Sequence, residues 1–79
     1  MAKNVKIYST PVCPWCIRTK QFLKDNNITF EDADVSSNQQ AAGEMVEKSG
    51  QMGVPVLDIE GEIIVGFDKE RIKQTLGLQ

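Results

Sequence analysis

The sequence predicts an α/β domain of order β-α-β-α-β-β-α, with a four-stranded mixed sheet flanked by three helices. Three observations carry that expectation. Two segments of alternating apolar and polar residues, 4–8 and 28–35, bracket an unbroken run of helix formers, as in a β-α-β unit with parallel strands. Two apolar runs within residues 54–67 meet at Glu60 and Gly61, the signature of a short antiparallel hairpin. Two further helical stretches each lie between capping residues and a glycine.

Taken in order, "NVKIY" (4–8) sets Val5 and Ile7 against Lys6 and Tyr8, the period of a strand with one buried face. The chain turns through "STPVC" and enters a helix at Pro14 that runs to about Asp25 and ends at Asn26 and Asn27. No glycine or second proline interrupts it, and Leu23, Lys24 and Gln21 are among its good helix formers. "ITFEDADV" (28–35) alternates Ile28, Phe30 and Val35 with acidic residues. Ser36 and Ser37, with Gln39 and Gln40 three residues beyond each, read as a capping box for a second helix. Its expected buried stripe is Ala42, Met45 and Val46, and Gly50 stops it; Gly43 is a weak helix former within it. After the hairpin, Asp68 caps a last helix, "KERIKQTL", with Ile72, Thr75 and Leu76 inward and Gly77 at its end.

At 79 residues there is room for one domain, spanning 1–79, with no repeat or linker. A body this small buries only about 60% of its unfolded surface and cannot fill two cores. The hydrophobic content of 41% and charged content of 25% are ordinary for soluble domains. No stretch approaches the roughly 20 apolar residues that span a bilayer, and "MAKNVKIYS" lacks the apolar run of a secretory leader. A cytoplasmic setting and no membrane partner are expected. The net charge of −2 comes from 9 basic and 11 acidic residues with the signs interspersed. That leaves no basic face for nucleic acid. The absence of histidine excludes a Ser/His/Asp triad, a Cys/His pair and every histidine-containing zinc site. The chemistry left is mostly that of sulfur.

Both cysteines fall in "TPVCPWCIRTK" (10–20). Pro14 suits a first helical position, where its missing N–H is not needed, so Cys13 becomes the N-cap. There its sulfur faces the unpaired amides and positive end of the helix dipole, which stabilise a thiolate. Cys16 lies one turn further on the same face, within reach of Cys13 but set back toward the core. One thiol attacks and the other resolves. Three other readings stand beside this one. A stabilising disulfide would close too small a loop to remove much chain entropy. Two free core cysteines would not be flanked by Pro14 and Trp15 at a helix mouth. A zinc or iron-sulfur module would need ligands from a second chain or an outside thiol, because two thiolates make half a tetrahedral site. Cys-x-x-Cys beside a β-α-β pattern favours redox chemistry, with no metal and no tightly bound cofactor.

"YSTPVCPWCIRTKQFL", "VPV" at 54–56 and "GFD" at 66–68 together resemble the dithiol glutaredoxins and their glutaredoxin-like relatives in the thioredoxin superfamily, over essentially the whole chain. The resemblance implies a thioredoxin fold, a nucleophilic Cys13 and a resolving Cys16. It implies a cis Val54-Pro55 bond that holds the Val54 backbone beside the Cys13 sulfur, ready to pair with a substrate's backbone. It also implies that Gly66, Phe67, Asp68 and Lys69 receive the γ-glutamyl end of glutathione as co-substrate. Thr10, Pro14, Trp15 and Gln51 complete the expected substrate surface. Three positions depart from the glutathione-using pattern. Thr10 stands where many such members have lysine, Val65 precedes Gly66 where two glycines are usual, and Gly53 stands where threonine is usual. Some relatives that lack these features are reduced by a flavoprotein thioredoxin reductase. The expected partners are therefore glutathione or thioredoxin reductase, with disulfide-containing proteins as substrates and the chain itself a monomer. Gln51, Arg18 or Lys20 is the candidate replacement for the missing cation.

Overall fold

A computed structural model describes residues 4–77. Its elements follow the expected order: β1 (Val5–Ser9), α1 (Pro14–Asp25), β2 (Glu31–Asp34), α2 (Gln39–Ser49), β3 (Val56–Ile59), β4 (Glu62–Val65) and α3 (Lys69–Leu76). The sheet order is β2-β1-β3-β4, with β1 parallel to β2 and antiparallel to β3, and β3 antiparallel to β4. This is the four-stranded mixed sheet of a thioredoxin fold. Part of the segment read for a leader, residues 1–3, lies outside the described residues.

Alternation along the strands divides the core between the two sheet faces. Val5, Ile7, Leu57, Ile59 and Ile64 pack with Leu23 of α1 and Ile72 of α3. Tyr8, Ala33 and Val56 point the other way and pack with Ala41 and Met45 of α2. The turn between β3 and β4 is Glu60-Gly61 with φ of 51° and 92°, the two-residue geometry that matches strand twist.

Four boundaries differ from the sequence expectation. β1 runs one residue later, because Ser9 still pairs with Asp34 across the parallel ladder. β2 starts at Glu31 and not at Ile28. Asn27 closes α1 with a left-handed φ of 59°, and the Ile28 N–H donates back to the Leu23 carbonyl at 2.8 Å, so Ile28 and Phe30 join the core before pairing begins. Likewise β3 begins at Val56, after the Val54-Pro55 bond. Finally, Asn38 caps α2 in place of the serines, its side chain accepting the Ala41 N–H at 3.1 Å. Asp34 has already engaged both serines: Ser36 donates its N–H and hydroxyl to Oδ1, and the Ser37 hydroxyl reaches the Asp34 carbonyl. That start sets the helix so that Ala41 and Met45 form the buried stripe. Ala42 is half-buried and Val46 exposed.

Candidate active site

α1 begins at Pro14, which leaves Cys13 as its N-cap in extended backbone (φ −87°, ψ 115°). The Cys13 sulfur accepts the Cys16 N–H at 3.2 Å, where a thiolate would accept it most strongly. The Cys13 N–H donates to the Thr10 carbonyl at 3.4 Å, tying the turn to the end of β1. Both thiols are free; Cys13 is half-exposed and Cys16 fully buried. Burial, reinforced by the hydrogen bond to Cys13, pushes the Cys16 thiol up to about 11, against the smaller opposing influences of the Thr10 backbone and Lys20. An accessible sulfur therefore sits above one held neutral.

The Val54-Pro55 bond is cis, as the resemblance implies, and the Val54 carbonyl lies 4.0 Å from the Cys13 sulfur. Behind it, the Gly66 N–H donates to the Pro55 carbonyl at 2.8 Å, and Gly66 takes φ of 80°, a left-handed backbone that suits glycine. These contacts bring the 54–55 and 66–67 segments together. With Trp15 they line a cavity of about 260 Å³ (Trp15, Val54, Pro55, Gly66 and Phe67). The Trp15 and Phe67 rings lie 6.4 Å apart, and Phe67 meets Phe22 edge-on at 5.8 Å. Val65, which stands where glutathione-using relatives usually have glycine, is half-exposed and does not line the cavity.

Other expected site residues are placed differently. Asp68 caps α3, accepting the Arg71 N–H at 3.2 Å, so its carboxylate already serves its own helix. Gln51 is folded onto its own loop, its amide oxygen accepting the Gly53 N–H at 2.6 Å and its amide nitrogen donating to the Gly53 carbonyl at 3.0 Å. It offers no replacement cation surface. Arg18 lies 5.0 Å over the Trp15 ring, and Lys69 lies over Phe22. Sequence reasoning missed Ser9 and Asp32, which meet beneath α1 with Ser9 Oγ donating to Asp32 Oδ1 at 2.7 Å. The available signal was a serine in the row where Val5 and Ile7 predict an apolar residue. Among the described residues, no group of three or more His, Cys, Asp or Glu converges as a metal site. No helix there is long and apolar enough to cross a membrane. A larger groove, about 820 Å³, lies at the opposite end of β1 around Asn4, Phe30 and Gly61, away from both cysteines.

Residues 5–64 match the family profile described as Glutaredoxin. The chain belongs to the glutaredoxin family. It is 50% identical over 72 residues to an uncharacterized glutaredoxin-like 8.6 kDa protein in the rubredoxin operon of Clostridium pasteurianum, covering 91% of this chain and 96% of that one. It is 34% identical over 65 residues to glutaredoxin 3 of Escherichia coli strain K12, covering 82% and 78%. A crystal structure of a mutant thioredoxin-like protein superposes with a TM-score of 0.90 at 32% identity, covering 95% of this chain and 96% of that chain. In this glutaredoxin-family chain, the two free thiols at the mouth of α1 equip the site for disulfide exchange.

Proposed function

We propose that this protein reduces disulfides with the Cys13/Cys16 dithiol and is itself re-reduced by glutathione. The observation that carries the exchange reading is the pairing of a half-exposed N-cap sulfur with a buried one a single helical turn behind it. The Cys13 thiolate attacks a substrate disulfide RS–SR′; a Cys13–SR bond forms and R′S⁻ leaves. Cys16 then loses its proton and its thiolate attacks the Cys13 sulfur, expelling RS⁻ and leaving a Cys13–Cys16 disulfide. The substrate has gained two electrons and the dithiol has lost them. Two glutathione thiols restore it by the same exchange in reverse.

What supports glutathione is the cavity beside Cys13, lined by Val54, Pro55, Gly66 and Phe67, with the N-terminus of α3, whose positive end favours a carboxylate, just after Phe67 in sequence. Trp15 completes the lining. Reduction by a flavoprotein thioredoxin reductase is a second reading, favoured by the apolar rim: Val12 is 83% exposed, Met52 79% and Trp15 55%, and Thr10 brings no cation. A monomer working in a reducing cytoplasm fits either donor.

Trp15 lies between the two sulfurs in sequence, so its fluorescence reports their redox state. Oxidised protein is treated with millimolar glutathione, or with NADPH and thioredoxin reductase. Fast recovery of the reduced signal with glutathione alone is the expected result; recovery only with the reductase would replace glutathione by the flavoprotein.

A further inference from the structure

Val5, Ile7 and Ser9 point from β1 toward α1. The first two are core residues, but the third is a hydroxyl with only 1% of its surface exposed. Asp32 lies on the same face, since it pairs with Ile7 across the parallel ladder. Ser9 Oγ donates to one carboxylate oxygen of Asp32 at 2.7 Å, and Lys20 Nζ donates to the other at 2.8 Å. Lys20 is one turn beyond Cys16 on the same face of α1, next to the buried Thr19, and its side chain is only 20% exposed. The Asp32 side chain is 43% exposed, so the ion pair by itself contributes little; what sets it apart is the buried Ser9 hydroxyl beneath it. Here the serine fixes the carboxylate, and the carboxylate fixes the ammonium along the Cys16 face.

We propose that the Ser9–Asp32–Lys20 chain holds the Lys20 ammonium where it stabilises the thiolate that Cys16 must form to resolve the mixed disulfide. Lys20 is thus a positioning residue for the second half of the exchange, and the inference rests on the exchange reading above. Burial keeps the Cys16 thiol protonated at rest, and Lys20 acts against that burial. The charged groups on the elements packed near α1 have partners of their own, and Asp34 also lies within the influence of Lys20. On α1, Arg18 is stacked on Trp15; on β2, Asp34 is held by Ser36; from α3, Asp68 caps its own helix and Lys69 lies over Phe22. β1 contributes the uncharged Ser9 and Thr10, and Asp58 of β3 pairs with Lys48 on the α2 side. In the step itself the Cys16 thiol gives its proton to water and its thiolate bonds to the Cys13 sulfur. The Cys13–SR bond breaks, and the departing RS⁻ carries the electron pair and takes a proton.

The test is a single-turnover reaction of the reduced full-length protein with an aromatic disulfide whose thiolate is coloured. Attack by Cys13 releases the first equivalent and resolution by Cys16 the second. With Lys20→Met, the second phase is expected to slow about three- to tenfold at pH 7 and its pH–rate midpoint to rise, the change in thiolate fraction from moving a nearby charge. The first phase should change less than about twofold, and Lys20→Arg should restore the second. A biphasic wild-type trace with the second phase and its pH midpoint unchanged in Lys20→Met would overturn the inference alone, as would a Lys20→Arg protein no faster than Lys20→Met. A wild-type trace lacking the second equivalent would overturn the exchange reading and this inference with it.

Discussion

Two cysteines three residues apart occupy sharply different surroundings. Cys13 stands half-exposed at the helix mouth, whereas Cys16 has none of its surface exposed, and burial drives its thiol up to about 11. Only the thiolate reacts, and only where a reagent can reach it. Brief treatment of the reduced, folded protein with iodoacetamide at pH 7 should therefore label Cys13 at least roughly tenfold faster than Cys16. Peptide mapping by mass spectrometry reads this, and equal labelling would assign the roles wrongly. This asymmetry was legible from Pro14, which fixes the first helical turn and hence both cysteine positions. The use of Gln51 was not, because a glutamine that can reach a pocket can equally close its own loop. Nor was the contact of the buried Ser9 with Asp32, which forms only when β1 and β2 pair.

At the scale of elements, start and stop residues located the helices well, while strand ends were set by pairing that no local pattern reveals. α1 is the clearest case: proline at one end and asparagines at the other mark Pro14–Asp25. β2 is the contrary one. Ile28 and Phe30 alternate as strand residues do, yet they serve the end of α1 and the core. The cap of α2 was misplaced because Ser36, Ser37 and Asn38 are all good N-caps, and the choice falls to Asn38 once Asp34 has engaged the serines. Asn38→Ala should accordingly lower stability by about 1 kcal/mol in urea denaturation. Ser37→Ala should change it by less than about 0.5 kcal/mol. The reverse order would return the cap to the serine.

Across the whole molecule, α2 is fastened to the sheet by a charged network as well as by Ala41 and Met45. The buried Tyr8 hydroxyl donates to Glu44, which also accepts from Lys6 at 2.9 Å, while Lys48 donates to Tyr8 and to Asp58. The Tyr8 hydroxyl, and then Lys6, hold the Glu44 carboxyl down to about 2. A carboxyl depressed in the fold contributes stability above its unfolded value and loses it as pH falls through its folded one. The Tm of the wild-type protein should thus fall between about pH 4.5 and pH 2 by more than that of Glu44→Gln. Parallel Tm profiles would detach Glu44 from acid stability. The layer order was readable in the sequence, since period-2 strands and capped helices leave few topologies; the second buried face of β1 was not, because Tyr8 reads as a polar-side residue until it packs with Ala41 and Met45 of α2. Nor was the charged network, because at its centre Tyr8 meets Glu44 and Lys48, 36 and 40 positions further along the chain. The most direct test of the exchange chemistry is to trap its intermediate. Cys16→Ser is mixed with a glutathione-containing disulfide and the covalent adduct located by mass spectrometry. A stable adduct on Cys13, with none formed by Cys13→Ser, is the predicted result; an adduct formed equally fast through Cys16 in Cys13→Ser, or none in either protein, would contradict it.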